Sequence, residues 1–104
     1  MKKLPAPRNP RQRDRDLAQL AQAIAALPDA AAVRAFLIDL CTPAELEAMS
    51  DRWKVVPRIA EGTPYRDIHD QTGVSVTTVG RVARTLESGA GGYALALRAQ
   101  AQQP

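Results

Sequence analysis

PYRDIHDQTGVSVTTVGRVARTL, residues 64–86, is the stretch that decides the fold. It predicts a helix over Tyr65–Gln71, a tight turn at Gly73 and a second helix from Val76 onward, which together form a helix-turn-helix. Glycine suits the turn because a backbone without Cβ adopts positive φ at no steric cost. Ser75 is the expected N-cap of the second helix, since its hydroxyl can accept a hydrogen bond from a free backbone N–H.

The second helix of this motif has two different faces. Apolar residues recur at helical spacing on one face, at Val76, Val79, Ala83 and Leu86. Small hydroxyls and arginines occupy the other, at Thr77, Thr78, Arg81 and Arg84. Threonine can contact a base edge or a phosphate and arginine can form a bidentate contact with guanine, so the polar face suits a major groove of DNA. A helical hairpin that serves only the core is the alternative interpretation.

Length and composition limit the class of protein. The 104 residues predict one small domain. The single cysteine, Cys41, excludes an intrachain disulfide and a cysteine-rich zinc site, and its apolar neighbours predict a buried, inert thiol. One histidine without paired carboxylates or metal-ligand spacing argues against an enzyme. No apolar run is long enough to span a membrane and no secretory signal follows the basic N-terminus, so we expect a bacterial cytoplasmic protein.

Charge is distributed unevenly along the chain. Residues 1–15 hold six of the fourteen lysines and arginines and one acid, whereas residues 16–104 hold eight basic and ten acidic residues. Residues 1–12 contain three prolines and no periodicity, which predicts a disordered basic arm. Two roles stay open for the arm, contact with DNA and simple solubilisation. Residues 16–104, which we call the body of the chain, therefore have a net negative charge. This charge counts against nucleic-acid binding by the whole surface, but it does not count against binding by one helix face.

Four more helices are predicted outside the motif, so the fold class is all-α with about six helices. Pro28 ends the first of them, Asp29 is the expected N-cap of the second, and Leu95 and Leu97 of the last are available to a core. The predicted helices are Asp14–Leu27, Ala30–Leu40, Pro43–Ala60 and Tyr93–Ala101.

The borders of the motif are also predicted. Gly62 ends the third helix, and Thr63 and Pro64 then serve as N-cap and first residue of the next one. The motif extends over residues 64–87 of a domain at 13–101, and residues 102–104 form a frayed tail.

Residues 36–97 resemble the tryptophan repressor superfamily, and especially its YerC/YecD-type branch. The matching text is FLIDLCTPAELEAMSDRW at 36–53, AEG at 60–62, YRDIHDQTGVSVTTVGRVARTL at 65–86 and GGYALAL at 91–97. Four segments that agree in order and spacing are more specific than one helix-turn-helix. The resemblance implies an intertwined, all-helical homodimer that binds double-stranded DNA in successive major grooves and regulates transcription, most often as a repressor.

The resemblance also implies which residues contact DNA. Arg66 and His69 match DNA-contacting positions of the tryptophan repressor, and His69 replaces a lysine there, which implies a weaker or pH-dependent contact; an exposed histidine without a role is the alternative. Gly80 replaces a threonine and costs the helix about 1 kcal/mol relative to alanine, for which close approach to a phosphate and tight packing are both open explanations. The expected DNA-binding residues are Arg66, His69, Ser75, Val76, Thr77, Thr78, Gly80, Arg81 and Arg84.

A corepressor pocket is implied by the same resemblance. Thr42, Arg52 and Arg81 match residues that line the tryptophan site, where two arginines sandwich the indole. Val82 and Thr85 replace a glycine and a serine of that site. Because the isopropyl group of Val82 fills space that an indole requires, no tryptophan cofactor is expected. Arg52 is instead expected to pair with a nearby acid or with the other subunit.

Two functions follow as hypotheses. The first is a homodimeric, sequence-specific transcriptional regulator, a repressor by resemblance, that works without tryptophan. The second is a helical protein–protein adaptor that kept the fold but lost DNA recognition, which the net charge of the body and Gly80 favour.

Overall fold

The computed structural model describes residues 9–103, and the chain divides into two compact units, Met1–Thr42 and Pro43–Pro104. Secondary structure in the described residues is entirely helical, which confirms the predicted class and number of helices. No helix of this part of the chain is long and apolar enough to cross a membrane. The helices are α1 (Pro10–Ala25), α2 (Ala30–Leu40), α3 (Pro43–Ala60), α4 (Tyr65–Thr72), α5 (Val76–Ser88) and α6 (Gly92–Ala101).

Helix α1 begins four residues earlier than predicted. Asn9 is its N-cap, with Oδ1 accepting a hydrogen bond from the backbone N–H of Gln12 at 2.8 Å, and Pro10 takes the first helical position. Asparagine followed by proline favours a helix start. The prediction of a disordered arm over 1–12 is therefore wrong for residues 9–12, and residues 1–8 lie outside the described residues.

Helix α2 has the predicted borders, but the first unit has no buried residue in either helix. Asp29 caps α2 as expected, with Oδ1 accepting from the backbone N–H of Ala32 at 2.9 Å. Large apolar side chains stay accessible, with Leu17 64%, Ile38 48% and Leu40 51% exposed. The first unit thus leaves an apolar surface uncovered.

The core of the second unit is small and consists mainly of valine. Trp53 of α3 and Tyr93 of α6 pack against it with their ring centroids 6.5 Å apart, and Leu97 adds a second contact from α6. These contacts fix α6 to the core formed by α3, α4 and α5. The buried core residues are Val55, Val56, Ile68, Val74, Val79 and Val82.

Val76 was predicted on the apolar face of α5 and Leu95 was expected to be available to a core, but both are exposed. Val76 is 45% exposed, because the buried stripe of α5 begins one turn later, at Val79 and Val82. Leu95 is 60% exposed, since Tyr93 and Leu97 are four residues apart and share the inward face of α6, which places Leu95 on the other side.

A glycine closes α3, as predicted, and shifts the start of α4. Gly62 has φ of +83° and donates to the Ile59 carbonyl at 2.9 Å, while the backbone N–H of Thr63 donates to the Arg58 carbonyl at 3.0 Å. This pair of bonds is a Schellman motif. Thr63 therefore belongs to the end of α3, and the N-cap of α4 is Pro64, without a side-chain cap. The prediction that Thr63 caps α4 is wrong.

Truncation of the core should separate buried from exposed apolar positions. We expect Ile68→Ala to lower the free energy of unfolding by about 2–5 kcal/mol, because Ile68 is fully buried. The matched change Val76→Ala should stay within about 0.5 kcal/mol, because Val76 is exposed. Urea denaturation at one protein concentration measures both values. Equal losses for the two variants would contradict this assignment of the core.

Candidate nucleic-acid interface

A left-handed turn joins α4 to α5. Gly73 has φ of +76°, as predicted, and its N–H donates to the His69 carbonyl at 2.8 Å. The hydroxyl of Thr72 donates to the Ile68 carbonyl at 2.7 Å and accepts from the backbone N–H of Val74 at 3.1 Å. The backbone groups of the turn are thus bonded locally, which holds the two helices of the motif in one geometry.

His69 braces this turn. Its Nδ1 lies 2.8 Å from the Val74 carbonyl oxygen. A carbonyl can only accept, so Nδ1 carries the hydrogen and the bond selects this tautomer. Nε2 then remains as the ring nitrogen without a partner among the described residues. The interpretation of His69 as a histidine without a role is wrong, and its contact with DNA stays a prediction.

Ser75 caps α5, as predicted. Its Oγ accepts from the backbone N–H of Thr78 at 3.1 Å and donates to the Thr78 hydroxyl at 3.0 Å. The cap satisfies one of the free N–H groups at the start of the helix. The N-cap and first turn of α5, which together hold four of the expected DNA-binding residues, therefore have a fixed backbone.

Thr77, Arg81 and Arg84 form the outer stripe of α5, which we call the recognition stripe. They are exposed and are spaced four and three residues apart, so at about 100° per residue they share one side of the helix. The buried Val79 and Val82 lie on the opposite side. Burial of the valines therefore turns the recognition stripe toward solvent.

The guanidinium groups of the motif are free. No carboxylate of residues 9–103 lies within ion-pair distance of Arg66, Arg81 or Arg84. Arginine presents five N–H donors in a planar fork that matches phosphate and the guanine edge. Three such groups without internal partners give this part of the surface a clear capacity for anions, although the body of the chain has a net negative charge.

Gly80 has no packing requirement within the chain. A Cβ placed on it would lie 3.7 Å from Nη1 of Arg84 and 3.8 Å from Cε2 of Tyr65, both ordinary van der Waals distances. The tight-packing explanation of Gly80 is therefore wrong, and close approach to DNA stays a prediction. The same distances place Tyr65 beside α5. Sequence reasoning did not place Tyr65 beside α5, and its only signal was an aromatic residue at the first turn of α4.

Two of the predicted corepressor residues, Arg52 and Thr85, line different clefts. Arg52 lines a cleft of about 320 Å³ with Asp51, Ser75 and Thr78, at the turn between α4 and α5. Thr85 lines a different cleft, of about 330 Å³, beside the glycines before α6. Thr42 belongs to the first unit.

Val82 is part of the core rather than of a pocket wall. It is 1% exposed and packs with the other buried valines. The hydroxyl of Thr85 donates to the Arg81 carbonyl at 3.1 Å, within its own helix. Neither placement tests whether tryptophan binds, so the absence of a tryptophan cofactor stays a prediction.

The expected intrachain partner of Arg52 is absent. Asp51 instead pairs with Lys54, at 3.4 Å between Oδ1 and Nζ. Among the residues that the structure describes, no carboxylate forms an ion pair with Arg52. The alternative of a pair within the chain is therefore wrong for the described residues. A pair with another subunit stays a prediction.

Comparison with known proteins identifies the family. A family model described as Trp repressor protein matches residues 15–101. This chain belongs to the Trp repressor family. The uncharacterized protein YerC of Bacillus subtilis strain 168 is 36% identical over 85 residues, which cover 82% of each protein. The crystal structure of a TrpR-like protein from Eubacterium eligens ATCC 27750 has a TM-score of 0.79 and 32% identity, covering 92% of this chain and 99% of that one.

The family assignment confirms the resemblance and its YerC-type branch. The described motif agrees with it, since the helix-turn-helix and the all-helical class are those of a Trp repressor-like fold. In the described residues, no cluster of three or more metal-ligating side chains is placed to hold a metal ion.

Removal of the Ser75 hydroxyl should weaken the start of α5. We expect Ser75→Ala to lower the free energy of unfolding by about 1 kcal/mol, because an N–H of the first turn loses its acceptor. Ser75→Asn should restore stability, since asparagine is a good N-cap. Urea denaturation compares the two variants with the wild type. An asparagine variant as unstable as the alanine variant would contradict the capping role.

Proposed function

We propose that this protein is a sequence-specific DNA-binding transcriptional regulator, and a repressor by family likeness, that acts as a homodimer on bacterial DNA in the cytoplasm. The observation that carries the proposal is the recognition stripe. Its two arginines are free of internal partners, it is turned outward by the buried valines, and it stands on a turn with a locked backbone. Family membership supports the regulatory role.

The chemistry of each residue defines its part in the proposal. Arg81 can form a bidentate contact with guanine, and Thr77, one turn earlier, can contact a neighbouring base edge or a thymine methyl group. Arg66 and His69 on α4 bind phosphates, as the first helix of such a motif crosses the backbone. The start of α5 adds the partial positive charge of a helix N-terminus.

Exposed apolar surface supports the homodimer. In the first unit, Leu17, Ile38 and Leu40 are about half exposed or more, and in the second unit Leu95 is 60% exposed. Small helical domains bury a low fraction of their surface, so a second copy would supply the missing core. A two-fold dimer also presents two recognition helices, which matches half-sites about one helical turn apart.

Selection from fragmented genomic DNA tests the function directly. The purified full chain is mixed with the fragments at about 0.15 M salt, where only charges within roughly 8 Å act strongly. Recovery of a few sites with two-fold symmetric half-sites supports the proposal. Uniform recovery of all sequences, or recovery of none, would contradict it.

Truncation of side chains in the recognition stripe should weaken specific binding. We expect Arg81→Ala and Thr77→Ala each to lower affinity for the selected duplex by about 1–3 kcal/mol and to relax specificity at one position, because base contacts are lost. Arg98→Ala on α6 removes the same charge from an exposed position outside the motif and serves as the control. Fluorescence anisotropy measures binding, and thermal unfolding checks that the variants are folded. Wild-type binding by both variants would contradict the assignment of the stripe.

The proposed dimer has a defined mass. Sedimentation equilibrium should give twice the chain mass of 11.2 kDa. Leu17→Asp should shift this equilibrium toward monomer, because a charge then enters an apolar interface. Gln19→Asp introduces the same charge on the side of α1 opposite Leu17 and should leave the dimer intact. A wild-type monomer, or equal effects of the two variants, would contradict dimerisation through α1.

Tryptophan should not act as the corepressor. Calorimetric titration of the protein with L-tryptophan is expected to show no binding, because Val82 is packed in the core where an indole would need space. The genomic selection should also recover the same sites with and without the amino acid. A dissociation constant in the micromolar range would contradict this proposal.

A protein–protein adaptor is the alternative, and one observation favours it. Residues 16–104 have ten acidic and eight basic residues, and exposed Asp67 and Asp70 lie on α4 within the motif. The dependence of binding on salt separates the two functions. DNA binding releases counterions and gives a steep slope of affinity against salt, whereas a flat slope would favour a protein partner.

A further inference from the structure

The ring of His69, the single histidine of the chain, has one bonded nitrogen and one free nitrogen. Nδ1 lies 2.8 Å from the Val74 carbonyl oxygen, which can only accept, so Nδ1 holds the hydrogen of the neutral ring. Nε2 then has a lone pair and no hydrogen. When the ring takes up a proton, the new hydrogen goes to Nε2, because Nδ1 already holds one.

Protonation of this ring leaves the turn between α4 and α5 intact. Nδ1 donates to the Val74 carbonyl in the neutral ring and in the charged ring, so the bond is present in both states. The change in hydrogen bonding is confined to Nε2, which turns from an acceptor into a charged donor. His69 therefore gains a charge without any change in the direction of α5.

The free nitrogen belongs to the part of the motif where α5 begins. His69 is an exposed residue of α4, one turn after Arg66, so the two side chains share a face of the helix. Its bond to Val74 holds the ring against the turn, one residue before Ser75 caps α5. In helix-turn-helix proteins the first helix crosses the phosphate backbone and the start of the second contacts base edges. A ring at this junction is placed for a backbone phosphate.

The ring has no ionic partner in the part of the chain that the structure describes. Among residues 9–103, no carboxylate forms an ion pair with His69. An anion that pairs with the charged ring must therefore come from elsewhere. The charged residues around it on the three packed helices are Arg66 and Asp70 on α4, Asp51 and Arg52 on α3 at the cleft beside the turn, and Arg81 on α5.

We propose that DNA binding is linked to protonation of His69: a backbone phosphate accepts a hydrogen bond from Nε2, and each protomer takes up one proton from solution as it binds. Phosphate oxygens of DNA only accept, so the neutral ring, which offers a lone pair, does not make this contact. This inference rests on the proposed function, since duplex DNA is the ligand. It makes the proton a co-ligand, so that occupancy of the DNA site rises as the pH falls through the range in which imidazole titrates.

Proton uptake is measured on the unmodified protein. Calorimetric titration with the selected duplex at about pH 7.5, in buffers of different ionisation enthalpy, should show uptake of about half a proton or more per protomer. Affinity should fall about tenfold per protomer from about pH 6 to about pH 8. The slope of affinity against salt should be steeper at about pH 6 by about 1 per protomer, since one more phosphate is neutralised.

His69→Asn is the matched control. Its amide nitrogen takes the δ position of the ring and still donates to the Val74 carbonyl, but it does not titrate. We expect this variant to unfold at the same temperature as the wild type, to bind as the wild type does at about pH 8, and to lose both proton uptake and pH dependence. His69→Lys has a permanent charge and should bind at about pH 8 as tightly as the wild type does at about pH 6, also without proton uptake.

The outcomes separate this inference from the proposed function. A wild-type protein that binds no DNA at either pH overturns both. Site-specific binding without proton uptake overturns the linkage alone, and so does a His69→Asn variant that keeps the pH dependence. An equal loss of affinity at both pH values in His69→Asn would mean that the neutral ring contacts a base, which also overturns the linkage. If His69→Asn does not fold, uptake by the wild type together with none by His69→Lys supports the linkage, and equal uptake by the two overturns it.

Discussion

The left-handed backbone at Gly73 is the constraint on which the second unit depends. It reverses the chain within three residues, so that Val74 enters the core while Ser75 is already in place to cap α5. An L-residue with a Cβ is strained in this conformation, whereas glycine is not. The Thr72 hydroxyl accepts from the backbone N–H of Val74, and His69 Nδ1 donates to the Val74 carbonyl. These bonds hold the turn, and the direction of α5 follows from the geometry of the turn.

Helix α5 has two different faces, and its helical periodicity separates them on opposite sides. Its inward stripe supplies Val79 and Val82 to a core that contains only five buried valines and one isoleucine. Its outward stripe carries Thr77, Arg81 and Arg84. The two stripes lie on opposite sides of α5. Burial of the valines therefore stabilises the helix and also sets the direction in which the arginines face. Loss of core packing would therefore also misplace the interface.

Membership in the Trp repressor family is compatible with local departures from its best-known member. The described motif has glycine at the turn and Arg81 on the outer face of α5, which set the geometry of the turn and the charge of that face. The residues that differ from the tryptophan repressor lie at positions with other structural roles. Val82 adds to the core, His69 holds the turn by its Nδ1, and Gly80 opens space above α5. These departures concern ligand binding and side-chain placement rather than the course of the backbone.

Local signals allowed most of the fold to be predicted. Helix borders followed from short-range chemistry, as with Asp29 and Ser75 as N-caps and Gly62 and Gly73 as helix ends, because each such bond joins residues close in sequence. The start of α1 was missed although Asn9 and Pro10 carry the same kind of signal, since the basic composition around them favoured an arm. The candidate interface was predicted on α5 for a related reason, because the polar face of an amphipathic helix is a local pattern.

The sequence by itself determined the helices, the turn and the outward arginines, because these depend on spacing and on neighbours within a few residues. Only the tertiary structure decided which apolar residues are buried. Val55 and Val82 are in the core while Val76 and Leu95 are exposed, since burial depends on which turn of a helix meets another helix. It also placed Tyr65 of α4 beside Gly80 of α5, because residues 65 and 80 are far apart in the chain and come close only when α4 packs on α5.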